Sequence, residues 1–267
     1  MMKLTFLGTG TSCGVPVLGC QCPVCKSKDP RDKRLRTSAM LETAYTRVLI
    51  DCGPDFRQQM MPMDFRKIDA ILVTHSHYDH VGGVDDVRPY CKLAPVNVYA
   101  NAKAVKGMKE MLPYCFPQEG KDKYPGVPDL ILHTVEPHQA IEIGDIHIEP
   151  FEVMHHQLPI LGFRVGGLVY ITDMKTILDE ERDYLNTTPI DTLVINALRF
   201  DRPHHSHLLV DDAIAFARSV GARQTFLTHV CHDIGCHEEV NRRLPDDVRL
   251  AYDGQTIEWP ISCASCE

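Results

Sequence analysis

Residues 74–80 read "THSHYDH". They follow residues 68–73, an apolar run with the character of a buried strand. Within six residues the stretch gathers His75, His77, Asp79 and His80. In extended backbone alternate side chains share a face, so His75 and His77 point the same way and can reach one ion. Asp79 and His80 lie just past them, in reach of a second ion. Two divalent ions about 3.5–4 Å apart make a site suited to hydrolysis. The stretch therefore predicts metal chemistry at the end of a buried strand.

The rest of the chain bounds that chemistry. Its 267 residues are 44% apolar and 24% charged, ordinary values for a globular protein. No repeat, linker or low-complexity segment divides them, and residues 1–267 read as a single domain. No apolar run approaches the roughly 20 residues that span a bilayer. The opening "MMKLTFLGTG" lacks the apolar core and cleavage site of a signal peptide. A cytoplasmic location, with no membrane partner, is expected. Eleven cysteines would then stay as thiols, and close spacing among them points to metal. The net charge of −8 argues against a large polyanionic partner. Nucleic acid is therefore not the expected substrate and small molecules are, while a homodimer is compatible with the sequence.

Outward from the motif, the pattern alternates strands and helices. Residues 38–55 read as a strand pair joined by a turn, its second strand at 47–51, followed by a short helix at 56–60. A strand at 96–101 precedes a helix over 102–112. Residues 140–156 alternate cleanly and predict a hairpin turning at Gly144-Asp145. Further strands are expected around Gly166-Gly167, at 192–198 and at 224–230, with helices over 209–220 and 236–244. Residues 248–260 read as a closing strand pair. Residues 11–36 form a long loop that needs something to order it, and residues 113–128 an irregular insertion. Strands then helices, twice over, suggest two sheets packed face to face with helices outside.

Three cysteines, Cys20, Cys22 and Cys25, stand in "GCQCPVC". They are one ligand short of a closed tetrahedral site. Cys231, His232, Cys236 and His237 are the candidates for the fourth. Cys13, Cys52, Cys91 and Cys115 read as small apolar fillers, and Cys263 with Cys266 as a terminal pair of undefined role.

The motif His75-x-His77-x-Asp79-His80 resembles the metallo-β-lactamase superfamily. The resemblance covers nearly the whole chain and implies an αβ/βα sandwich of two mixed β-sheets flanked by helices. It also implies the remaining ligands: a histidine in "VMHHQLP", His155 or its neighbour His156, Asp173 in "LVYITD" and His229 in "TFLTH". By the family's pattern His75, His77 and His155 hold one ion, Asp79, His80 and His229 the other, and Asp173 bridges them. The ions would be Zn²⁺, Mn²⁺ or Fe²⁺. Asp51 matches the family's early strand-end aspartate, expected to steady the metal loop.

In phosphodiesterase branches of this superfamily a histidine roughly twenty residues before the last ligand assists catalysis. His207 fits that place, with His204 and His205 beside it. As an imidazolium it would bind phosphate and protonate the leaving oxygen. His207 and Asp79 are the expected catalytic residues. The bridging Asp173 together with His207 points away from lactam or thioester cleavage and toward phosphodiester hydrolysis.

The N-terminal "LGTGTSCGVPVLGCQCPVC" is similar to the phosphodiesterases of the carbon–phosphorus lyase pathway, which open 5-phosphoribosyl 1,2-cyclic phosphate. That group carries a structural zinc on a C-x-C-x-x-C loop and a histidine three residues after the last active-site ligand. The implied set here is Cys20, Cys22, Cys25 and His232. The expectation is thus a dinuclear phosphodiesterase for a small, cyclic phosphate ester, with one further structural Zn²⁺. A transfer-RNA 3′-processing nuclease and a non-enzymatic metal- or ligand-binding regulator are the alternatives. Arg88, Arg164, Arg199 and Arg202, with Thr11 and Ser12, are candidate donors to phosphate.

Overall fold

A computed structural model of the chain describes residues 1–116 and 124–259. The first sheet contains β1 (Met2–Gly8), β2 (Ser38–Glu42), β3 (Arg47–Ile50), β4 (Ala70–Leu72), β5 (Val96–Ala100) and β6 (Leu130–Thr134). The second contains β7 (Ile141–Ile143), β8 (Ile146–His155), β9 (Leu158–Val165), β10 (Leu168–Tyr170), β11 (Thr192–Asn196), β12 (Gln224–Thr228) and β13 (Val248–Leu250). β14 (Thr256–Trp259) returns to the first sheet, giving seven strands in each. Both sheets mix parallel and antiparallel pairs, as in β2–β3 and β3–β4.

The period of two along each strand sorts side chains between layers. Ala39, Leu41, Val48 and Ile50 face inward and meet Ile148, Leu161, Phe163 and Phe226 of the second sheet. Met40 and Leu49 face outward, packing on Phe56, Met60, Val105 and Met108 of covering helices. On the far side Val169, Leu193 and Ile195 meet Ala213 and Phe216 of the helix Val210–Ser219. Sheets covered on both faces read as continuous apolar runs rather than alternating ones. The result is the αβ/βα sandwich expected from the sequence.

The expected closing strand pair is not formed. β13 lies parallel to β12 at the edge of the second sheet, whereas β14 lies antiparallel to β1 in the first. Asp253-Gly254 looks like a hairpin turn but lies on the crossing between sheets. Asp253 accepts from Leu35 N and Thr9 Oγ1, both at 2.7 Å, which ties that crossing to the N-terminal loop. β6 and the helix Asp179–Leu185 were not foreseen. The long loop holds a one-turn helix, Pro23–Lys26, and a 3₁₀ turn, Pro30–Asp32. Residues 117–123 of the insertion, and Cys263 with Cys266, lie outside the described residues. Among the described residues no helix is long and apolar enough to cross a membrane.

Candidate metal centre

Strand ends at one rim of the sandwich supply the site. His75 follows β4, His155 ends β8, Asp173 follows β10 and His229 follows β12. Asp51, Asp173 and His229 each adopt a left-handed backbone, with φ of 60°, 56° and 52°. Non-glycine residues avoid that region, and those held in it concentrate at functional sites. The loop carrying Asp79 packs closely on the one after β3. A Cβ on Gly53 would lie 2.1 Å from the Asp79 carbonyl oxygen, so only glycine lets the two loops meet.

The ligand atoms converge in overlapping groups, of which His75, His80 and Asp173 form one and His155, Asp173 and His207 another; two more carry the expected pair of sites. His75, His77 and His155 form one, and Asp79, His80 and His229 the other. Nε2 of His75 faces Nδ1 of His77 at 3.0 Å. Asp173 reaches the second group, with Oδ2 at 3.2 Å from His80 Nε2 and Oδ1 at 3.2 Å from His229 Nε2, and also gathers with His75 and with His155 of the first. All seven sequence-derived ligands are thus brought together. His155 is buried in the first group while His156 is exposed at the next position, which places His155 rather than His156 among the ligand atoms.

Neighbouring groups aim the rings. Asp51 accepts from Thr74 N at 2.8 Å, and its Oδ2 lies 2.7 Å from Nδ1 of His80, turning His80 Nε2 to the cluster. Nδ1 of His155 lies 2.7 Å from the Asp173 carbonyl and 3.0 Å from that of Ser206, leaving Nε2 for the centre. Thr172 Oγ1 donates to Asp173 Oδ2 at 2.7 Å. Asn196, which the sequence reading missed, clamps the turn after Asp173: its Oδ1 accepts from Met174 N at 2.8 Å and its Nδ2 donates to Met174 O at 3.0 Å. The signal was an asparagine at the end of a buried apolar strand.

These residues fit divalent cations. Nε2 of His80, both ring nitrogens of His229 and Nδ1 of His207 are buried without a hydrogen bond. His80 Nε2 lies within ion-pair reach of Asp79 and Asp173 but not in hydrogen-bonding alignment. Each orphaned buried polar group costs about 1–3 kcal/mol, which a bound cation offsets. Burial would lower His80, yet the carboxylates of Asp173, Asp51 and Asp79 hold it well above the usual imidazole range. Burial would likewise raise Asp79, but the charge of His80 and the close imidazoles of His229 and His80 hold it well below the carboxylate range. A cation takes the place of the proton that such a cluster otherwise retains.

His207 is buried beside the cluster, its Nδ1 3.5 Å from Asp173 Oδ1 and its ring 4.9 Å from that of His229. Burial, then the charge of His229, pushes its imidazole down to about 3.

A second cluster joins the N-terminal loop to the segment after β12. Cys20, Cys22, Cys25 and His232 bring their ligand atoms within 4.8 Å of one another. Both Cys20 Sγ and Cys22 Sγ stand 3.3 Å from His232 Nδ1. A backbone bond from Cys25 N, and then His232, lower Cys22 to about 6, whereas burial raises Cys25 to about 11. Three thiols and an imidazole are a zinc donor set. Of the rival ligands, His237 faces Arg34 Nη2 and Asn241 Nδ2, while Cys236 packs against the cysteine cluster but is not in its ligand group.

The arginine candidates are spoken for. Arg164 is buried and donates to the carbonyls of Leu185 and Thr188. Arg88 binds Asp85, Arg202 binds Asp233, and Arg199 donates to the carbonyls of Asp201 and Arg202. Thr11 pairs through its backbone with Val230, and Ser12 is exposed. Cys52 and Cys115 are buried as expected of fillers, but Cys13 is exposed.

A profile of the Beta-lactamase superfamily domain matches residues 46–230, more than half of the chain. The chain belongs to the metallo-β-lactamase superfamily. Within it, the chain is similar over 98% of its length to a crystal structure described as a new diphosphatase from the PhnP family, with 39% identity, a TM-score of 0.88 and 99% of that chain covered. This places it in the PhnP branch. An octanoyltransferase of Porphyromonas gingivalis is 41% identical over 95% of this chain, but the alignment takes in 51% of that protein. A ribonuclease Z of Thermosynechococcus vestitus is 28% identical over 61% of this chain and 36% of its own. The chain thus spans about half, or less, of the length of these curated relatives. The short form of human tRNase Z shares the fold, with a TM-score of 0.71 at 19% identity, covering 97% of this chain and 100% of that one.

Proposed function

We propose that the protein is a dinuclear metal-dependent phosphodiesterase acting on a small phosphate ester, of which 5-phosphoribosyl 1,2-cyclic phosphate is the model substrate. The observation that carries this reading is Asp173, whose carboxylate gathers with His75 and His80 and again with His155 and His207, with His207 Nδ1 3.5 Å from Oδ1. His75, His77 and His155 would hold one ion, Asp79, His80 and His229 the other, and Asp173 both. Bound there, such ions supply Lewis acidity and lower the pKa of water.

The chain's own residues do the rest. Asp51 holds His80 in one ring orientation, and Asn196 holds the turn that presents Asp173. His207 offers a ring N–H to a phosphate oxygen and, protonated to the imidazolium beside the substrate's anionic phosphate, passes that proton to the leaving oxygen and returns to the neutral ring. Similarity to a PhnP-family diphosphatase supports a phosphate-containing substrate. The octanoyltransferase name belongs to a protein about twice as long as the aligned stretch and is not carried over. The Cys20, Cys22, Cys25 and His232 cluster would hold a structural zinc that orders residues 11–36.

The second reading is a transfer-RNA 3′ nuclease, favoured by similarity to ribonuclease Z over 61% of the chain. Its drawback is the net charge of −8. The test is turnover of bis(p-nitrophenyl) phosphate, cyclic phosphate esters and a 3′-extended transfer RNA by protein loaded with Mn²⁺, Zn²⁺ or Fe²⁺. Hydrolysis of the small esters is expected. Bound metal without turnover of any of them would sink the phosphodiesterase reading.

A further inference from the structure

The hairpin that delivers His155 turns on His156 and Gln157, between the paired His155 and Leu158. The backbone is left-handed at His156, with φ of 56°, and not at Gln157. A two-residue hairpin with that sign pattern asks for glycine at its first position. Here an exposed imidazole occupies it instead. Histidine tolerates that region better than most residues, and here it sets an imidazole at the turn where glycine would leave none.

The ring of His156 meets that of His205 edge-on, with centroids 5.9 Å apart and planes at 89°. His205 stacks on His204 at 4.5 Å, and His204 on His207 at 4.8 Å. His204 is itself anchored through Nδ1, which lies 3.3 Å from Ser206 N. The stack fixes His205 from its buried side. Both outer imidazoles open onto a cleft of about 400 Å³, with His77 and His155 of the metal cluster in its lining. Gln157, Leu158 and Ser206 complete the lining, which holds no carboxylate in a chain of net charge −8. The cleft therefore leads from the metal ligands to a rim of hydrogen-bond donors.

We infer that His156 and His205 form a second anion subsite, which takes a phosphate carried by the substrate away from the bond that is hydrolysed. The inference rests on the phosphodiesterase reading and narrows its substrate to small esters bearing two phosphate groups. A neutral imidazole offers one N–H, and a phosphate accepts from both rings at once. The two histidines touch the substrate but not the reacting atoms, so they set specificity.

The test compares ribose 1,2-cyclic phosphate with and without a 5-phosphate, using metal-loaded protein. The wild type favours the phosphorylated ester by about tenfold or more in kcat/KM, the worth of a charge-assisted hydrogen bond. His156→Gly and His205→Ala each shrink that preference severalfold, through KM of the phosphorylated ester. The melting temperature of His156→Gly stays at or above that of the wild type, because glycine suits the turn. That outcome separates loss of the subsite from misfolding. His156→Asn tolerates the left-handed backbone and keeps an amide donor, so it restores part of the preference. No preference in the wild type, or a preference that survives both variants, overturns this inference alone. Failure to hydrolyse either ester or bis(p-nitrophenyl) phosphate overturns the functional reading and this inference with it. Loss of transfer-RNA cleavage in the same variants would assign the subsite to a neighbouring nucleotide and overturn the small-substrate inference.

Discussion

Oδ2 of Asp51 lies 2.7 Å from Nδ1 of His80, and both side chains are buried. The pairing commits Nδ1 to the carboxylate and leaves Nε2 as the ring's free nitrogen, facing Asp79 and Asp173. Carboxylates that orient a metal-binding imidazole typically tune affinity by about 10–100-fold. Asp51→Asn is therefore expected to weaken binding of one active-site ion by that order while the other ion stays. Competition with a chromophoric chelator measures it.

Gly53 makes a second, steric prediction about the same loop. A Cβ there meets the Asp79 carbonyl at 2.1 Å, and backbone cannot swing aside as a flexible side chain would. Gly53→Ala forces the Asp79 loop outward. Overpacking of this kind costs about 1–3 kcal/mol. The melting temperature should fall, and metal content at the Asp79 group should fall with it. An unchanged melt and full metal content would show that the loops do not meet as described.

Arg164 distinguishes a structural arginine from a phosphate-binding one. Its guanidinium satisfies carbonyls at the end of the helix Asp179–Leu185 and in the following loop. Arg164→Leu leaves the buried Leu185 carbonyl unpaired, at about 1–3 kcal/mol. Stability falls, while KM for a phosphate ester measured well below the melting temperature stays within about twofold. A large rise in KM with no loss of stability would return Arg164 to the substrate site.

These cases mark what was legible in the sequence. The ligands at strand ends were readable because each strand is an apolar run that stops at a polar residue, as at Asp173 and His229. The sandwich followed from the same runs together with the family pattern. The partners of the arginines were not readable, because carbonyl acceptors such as Leu185 O leave no mark on residue type. The split of β13 from β14 was hidden by Asp253-Gly254, a hairpin-like pair whose carboxylate is instead used to hold the N-terminal loop. The role of His156 was hidden because a left-handed φ is a property of the turn.

The cysteine cluster gives a prediction with a pH sign. Backbone bonding and His232 lower Cys22 to about 6, from 9.0. A depressed folded-state value adds stability that is complete above pH 9.0, declines as pH falls, and is gone below about 6. In protein stripped of metal at pH 7, Cys22 is mainly thiolate, whereas Cys25, raised to about 11, is thiol. Iodoacetamide should therefore label Cys22 well ahead of Cys25 by mass spectrometry. Metal reloading should protect both. With the cluster intact the chain should carry about three ions, and Cys22→Ser one fewer.

His207 supports the last prediction. Its ligand atom gathers with those of His155 and Asp173, while Nδ1, 3.5 Å from Asp173, has no hydrogen bond and the ring stacks outward on His204. A metal ligand and a proton donor at this position differ in what their removal does. Loss of a ligand lowers metal content, while loss of a proton donor lowers kcat with the metals retained. General acid assistance contributes about 10²–10⁴-fold. His207→Ala is expected to lose kcat within that range on a cyclic ester with an alkoxide leaving group and to keep both active-site ions. An ester with a far better leaving group needs less protonation, so the defect should shrink toward unity as the leaving-group pKa falls. A constant defect across leaving groups, or an ion lost from the variant, would place His207 among the ligands instead.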